Sequence, residues 1–424
     1  MNNDDKNKIK NGNNHLSKMD SKFSFQDNDS QDTKSDVTQM SDKKVDTNSQ
    51  TSKNTPSSSS SSSSVAKASK FSGNRRVSEA EMQKRHKWLQ KTRINSNNEE
   101  NRAKISYQVR FPDNFNGLHC VKYSPDGGMI VSSFGTGTIQ IRNGETGKLR
   151  ATLRNGLDTM PPVMCCCFNP LHQNILYASS ACGNIFLCTI NTNQLSRFIE
   201  EPKNEINTID VSANGRYIVS GGKDAALRLY DAESAKLITI YKENEVDLTD
   251  NRVGNYHRMR IFTAKFHHSY VDLIVTGGWD DTVRIWDTRI NTGSIKVIKG
   301  PHICGDAVDM KDSHIITGSW VVRGSLQLWD ITTCKLIETI MPVNRPTSLD
   351  GEFLYALQYF NGDPEGGHVV AGGSGTGALE IINIKEKKVV GKFEVTKAIT
   401  TLDSFKTSIV FGGMESVIRI ADYS

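Results

Sequence analysis

Gly372-Gly373-Ser374-Gly375-Thr376-Gly377 has the glycine density of a loop that cradles phosphate. Such a loop needs a Lys-Ser/Thr pair after its glycines and a helix opening behind them. Here Ala378-Leu379-Glu380-Ile381 follows instead, so the stretch reads as a turn between strands, without a nucleotide. His267-His268 offers two imidazoles, but no third ligand stands at a workable spacing, and a turn is the better reading than a metal site. The eight cysteines include no C-x-x-C, and Cys165-Cys166-Cys167 lies in a run with strand character. That suits reduced, buried thiols rather than a disulfide framework or a zinc site. No Ser/His/Asp set stands apart from the aspartates of the recurring turns. The expectation is a non-catalytic protein with no metal and no cofactor.

The elements that carry these residues repeat. Asp272 to Asp287 reads DLIVTGGWDDTVRIWD: an apolar run, a Gly-Gly and Asp-Asp turn, then an alternating run. That is strand, tight turn, strand. Ser220 to Asp231 has the same spacing, and Thr317 to Asp330 is the same unit with two residues added in its turn. Looser copies begin at Ser132, Ser180, Ala371 and Phe411. The residue closing each unit is Arg142, Cys188, Tyr230, Trp286, Trp329, Ile382 or Ala421.

With Trp286-Asp287, Trp329-Asp330 and the near match Tyr230-Asp231 closing strands after Gly-rich turns, the chain resembles the WD40-repeat family, whose period is about 40–45 residues. The resemblance runs from about Ile105 to the end and implies an all-β, seven-bladed β-propeller. The blades fall at 117–156, 162–202, 205–244, 260–299, 304–341, 354–395 and 397–424, the last closed by the strand 105–111 (ISYQVRF). In this family a buried network holds the turn. It maps onto Asp280, Thr276 and Trp286, with His257 ahead of the blade, and onto Asp224 and Ser220 one repeat earlier. Arg142, Ile382 and Ala421 cannot complete that network, so their blades are expected to rely on apolar packing.

The head is different. Residues 1–73 are rich in Asn, Asp, Lys and Ser, with eight serines at 57–64, and are expected to be disordered. Residues 67–104 carry 11 basic and 4 acidic side chains, a surplus of +7, whereas residues 1–66 carry 9 and 9 and residues 105–424 carry 32 and 34. Within this basic linker (74–104), Ser78-Glu79-Ala80-Glu81 has capping-box spacing and opens an expected short helix at 78–93. Arg75-Arg76-Val77-Ser78 is a basophilic kinase pattern, making Ser78 a candidate phosphosite on a helix cap. No apolar run reaches the ~18 residues of a membrane span, and Met1 opens no signal-peptide core, so a cytoplasmic or nuclear location is expected.

The function that follows is a scaffold binding protein partners, the chain acting as a monomer within a larger complex. Trp279 and Trp320 hold the same place in adjacent repeats, where the others offer Gly135, Ala181, Lys223, Ser374 and Met414. The resemblance implies that this place opens on the top face of the propeller, and Arg323, His302, Tyr256 and Arg258 lie around it in sequence. Two alternatives belong to other classes. The basic linker could associate with RNA or a ribonucleoprotein. Trp286-Asp287-Thr288-Arg289 matches a Trp-Asp-x-Arg signature of substrate receptors for cullin-type ubiquitin ligases, with Arg289 as the adaptor contact.

Overall fold

The computed structural model describes residues 103–243, 254–346 and 351–424. The head, most of the basic linker, the expected helix at 78–93 and Ser78 lie outside the described residues.

The described chain forms 28 strands in seven four-stranded antiparallel sheets. Six sheets are built from consecutive strands. The seventh takes Ile399–Phe405, Ser408–Gly413 and Val417–Tyr423 and adds Ala103–Arg110 at its outer edge, with Val109 opposite Ile418. The sheets are therefore the blades of a seven-bladed propeller.

Burial follows strand position within each blade. A second strand such as Met129–Phe134 is covered on both faces by neighbouring blades and is buried throughout. An outermost strand such as Leu237–Tyr241 leaves most of its residues exposed or half-exposed. Seven apolar clusters fill the seven junctions between blades. One, for instance, sets Leu229 and Tyr241 of blade 3 against Phe266 and Trp286 of blade 4. No single blade could bury its faces alone, which is why the repeat must recur.

The recurring Gly-Gly has a steric cause. A Cβ on the second glycine would meet the carbonyl oxygen of the loop ahead of the blade, at 2.2 Å for Gly222, 2.5 Å for Gly278 and 2.2 Å for Gly373. A Cβ on the first would meet the next blade's innermost strand or the loop entering it: Ile261 at 2.7 Å from Gly221, Ile303 at 2.9 Å from Gly277. Only glycine lets the turn press this closely on both neighbours.

Candidate partner-binding surface

Blade 4 shows how the turn is held. The Trp286 indole N–H donates to Thr276 Oγ1 at 2.8 Å, and Thr276 Oγ1 lies 2.6 Å from His257 Nε2. His257 Nδ1 lies 2.9 Å from Asp280 Oδ2, which also accepts the Arg258 backbone N–H. Burial pushes the His257 imidazole below its ordinary range, against the pull of Asp280. The neutral ring then donates from Nδ1 to Asp280 and accepts from Thr276 at Nε2, so every buried polar atom in the chain of bonds is satisfied.

Blade 3 reaches the same end with a residue that the repeat pattern does not flag. Glu201 fills the histidine's place. Its Oε1 accepts from Ser220 (2.5 Å) and Tyr230 (2.9 Å), and its Oε2 from Asn204 (2.6 Å) and Arg228 (3.0 Å). Arg228 also pairs with Asp224. Glu201 precedes Ser220 by 19 residues, the interval between His257 and Thr276, and that spacing is the signal by which it could have been found.

The blades without a closing aromatic do not rely on apolar packing alone, contrary to the expectation drawn from Arg142, Ile382 and Ala421. Arg142 is buried and donates to Ser132 Oγ (3.4 Å), Gly147 O (3.2 Å) and Gln140 Oε1 (2.5 Å). In blade 6, Arg345 from the preceding loop binds Glu352 at 2.7 Å and Glu380 at 2.5 Å. Glu352 in turn accepts the Ser325 backbone N–H of blade 5 at 2.6 Å. In blade 7, Glu415 binds Arg419 and Thr396. An unmatched buried backbone donor costs about 1–3 kcal/mol, and Glu352 removes that cost for the Ser325 N–H.

The innermost strands surround a central cavity of about 260 Å³. Asp210, Asp309 and Asp403 occupy one register position on alternate blades. Each accepts a backbone N–H of the next blade's innermost strand: Phe266 at 2.8 Å, Tyr359 at 2.8 Å and Tyr123 at 2.7 Å. Thr208 and Thr401 repeat the contact two residues earlier, toward Ala264 and Val121. Burial holds the Asp210 and Asp403 carboxyls above the usual range. Asp306 bridges the ammonium groups of Lys122 (2.9 Å) and Lys265 (3.1 Å); burial opposes its ionisation, but the two cations keep its carboxyl well below the usual range. These carboxylates fasten blades together. Burial likewise drives the Cys167 thiol far up, beside Asp210. His267 is a buried turn residue, its Nδ1 accepting the Ser269 and Tyr270 N–H groups.

On the opposite side of each blade's turn, one position recurs seven times with the same bond. The backbone N–H of Gly135, Ala181, Lys223, Trp279, Trp320, Ser374 and Met414 donates to the loop ahead of its own blade. Trp279 and Trp320 are each 40% exposed. The Trp279 ring packs on Phe262 (5.2 Å between centroids) and donates its indole N–H to Cys304 Sγ at 3.1 Å. The Trp320 ring packs on Phe353 at 5.0 Å. His302 sits between them, its carbonyl taking the Trp320 N–H and its Nδ1 lying 2.6 Å from Asp281. Lys223 lies alongside, on Glu205. Arg323 is exposed in the lengthened turn of blade 5. Tyr256 is half-buried, 6.4 Å from the Trp286 ring, so it belongs with the blade 4 network rather than with the exposed strip. Arg289 lies apart from this surface, clamped on Asp287 through two bonds of 2.8 and 2.6 Å.

The WD domain, G-beta repeat family model matches residues 193–231 and 257–287, the segments that contain the two networks of blades 3 and 4. The chain belongs to the WD40-repeat β-propeller family. It is 21% identical over 235 residues to apoptotic protease-activating factor 1 of Danio rerio, covering 53% of this chain and 16% of the relative. It is 25% identical over 176 residues to jouberin of Mus musculus, covering 39% and 15%. A guanine nucleotide-binding protein subunit beta-like protein of Encephalitozoon cuniculi is 21% identical over 276 residues, 58% of this chain and 76% of that one. The chain thus spans about one sixth of the length of the first two relatives. No helix among the described residues is long and apolar enough to cross a membrane.

Proposed function

We propose that this chain is a non-catalytic scaffold that captures protein partners on the top face of blades 4 and 5, within the cytoplasm or nucleus. The observation that carries the reading is the pair Trp279 and Trp320. They occupy equivalent positions on adjacent blades, each exposed and each backed by a second aromatic ring. Tryptophan is prominent among residues that dominate interface energetics, where truncation costs ~2 kcal/mol or more. Lys223, His302, Arg258 and Arg323 supply a polar rim. The test is affinity purification with the full chain and with Trp279→Ala/Trp320→Ala. The expected result is loss of the captured partners with a melting midpoint within a few degrees of wild type. Undiminished capture by a folded double variant overturns the reading.

Two other functions have their own observations. The +7 surplus at 67–104 favours association with RNA, and a steep fall of binding with salt would reveal it. The Trp-Asp-x-Arg signature favours a ligase-receptor role, but Arg289 is already engaged by Asp287. Unchanged cullin-adaptor capture by Arg289→Ala removes that reading.

A further inference from the structure

We propose that the aromatic strip takes an acidic peptide segment bearing a large apolar side chain; this rests on the protein-binding function proposed above and specifies the partner's chemistry. The strip is continuous across four blades. Lys223 of blade 3 and Arg260 of blade 4 share one carboxylate, Glu205, at 2.6 and 2.8 Å. Arg260 lies over the Phe262 and Trp279 rings, at 6.0 and 5.8 Å from their centroids. Trp279 reaches Cys304 of blade 5, the loop of Cys304 and His302 leads to Trp320, and Trp320 rests on Phe353 of blade 6.

Three features choose the guest. First, the cation–π position on Trp279 is filled by the protein's own Arg260, which repels a cationic side chain brought to the same ring. Second, the Trp279 N–H is spent on Cys304, so the exposed part of that indole offers apolar contact. Val322, 53% exposed beside Trp320 in the lengthened turn, extends the apolar surface. Third, the cations outnumber the carboxylates. Among the described residues, Lys223, Arg260 and Arg323 stand against Glu205 and Asp281, a local surplus of one on a domain whose charges otherwise lean acidic. A guest with one or two carboxylates flanking an aromatic or long aliphatic side chain matches both properties.

The experiment pans a displayed library of random peptides against the full chain and sequences what is retained. The expected peptides carry net negative charge and at least one Trp, Phe, Leu or Met. A synthetic copy of the most enriched one should bind roughly tenfold more weakly to Lys223→Glu/Arg323→Glu, whose side chains are exposed and whose loss leaves the melting midpoint in place. It should also lose most binding to Trp279→Ala/Trp320→Ala. Neutral or basic peptides that still require the two tryptophans overturn the acidic-guest proposal and leave the protein-binding function standing. Enriched peptides indifferent to the tryptophans, or an empty selection, sink both. Displacement of the peptide by a single-stranded oligouridine that binds the same strip overturns the proposal in favour of RNA.

Discussion

Glu201 is the residue whose replacement should cost blade 3 most. Its carboxylate is buried and takes bonds from four groups: the hydroxyls of Ser220 and Tyr230, the amide of Asn204 and the guanidinium of Arg228. Ser220 is fully buried and Tyr230 nearly so, which leaves no water to replace the lost acceptor. In Glu201→Ala, Arg228 keeps Asp224 but loses its deeper partner. Breaking a buried pair on one side costs about 3–5 kcal/mol, and the two stranded hydroxyls add to that less than additively. For a domain of about 320 residues 1 kcal/mol moves the midpoint by about 1.5 °C, so a fall of roughly 5–8 °C is expected. Glu201→Gln keeps an oxygen for the hydroxyls but turns amide hydrogens toward Asn204 and Arg228, and should lose roughly half as much. Thermal scans of the three proteins at matched scan rate provide the assay, with amide exchange locating the loss in 206–241. An alanine variant within 1 °C of wild type would refute the account of blade 3. Equal loss in the glutamine and alanine variants would show that the charge, rather than the set of acceptors, is what matters.

Other perturbations probe separate parts of the ring. Asp403→Ala strands the Tyr123 N–H at the junction of blades 7 and 1; its amide should exchange at the rate of local opening, and stability should fall by about 1–3 kcal/mol. A chain starting at Pro112 lacks Ala103–Arg110, exposes the edge of Val417–Tyr423 and should aggregate, whereas one starting at Asn74 should melt with wild type; equal solubility of the two would contradict this. Burial lowers the His119 imidazole to about 4 from 6.5, so its contribution is intact above pH 6.5 and is lost as pH falls toward 4. His119→Leu should therefore flatten the stability–pH curve in that window by about 1–3 kcal/mol, read from urea midpoints, and an unchanged slope would assign the pH dependence elsewhere.

The fold was readable in the residues because a propeller is quasi-periodic. The apolar run, the Gly-Gly turn and the alternating run impose the same steric demands seven times, so even Ser180 to Thr189, with Cys182 and Cys188 in its key places, keeps the spacing. The polar partners of the turns were less legible. They come from the loops between blades, whose lengths vary: Glu201 stands 19 residues before Ser220, but Arg345 stands 35 before Glu380, from a loop with no common register. Their chemistry also changes, from histidine to glutamate to arginine, because what is selected is a satisfied buried donor or acceptor rather than a residue type. The alternation of Asp210, Asp309 and Asp403 was hidden for another reason. It is visible only when every second blade is compared, and the intervening blades place Lys122, Cys167, Lys265 and Gln358 there.

The seventh sheet joins strands from opposite ends of the domain, with Ser106 bonded to Asp422, 316 residues away. A ribosome adding about 5–20 residues per second needs roughly 16–60 s to make that stretch. Throughout that interval Ala103–Arg110 is a strand without its neighbour, and six blades can assemble while it waits. Shielding those eight residues during synthesis is therefore expected to raise the yield of closed rings without changing the stability of the finished ring.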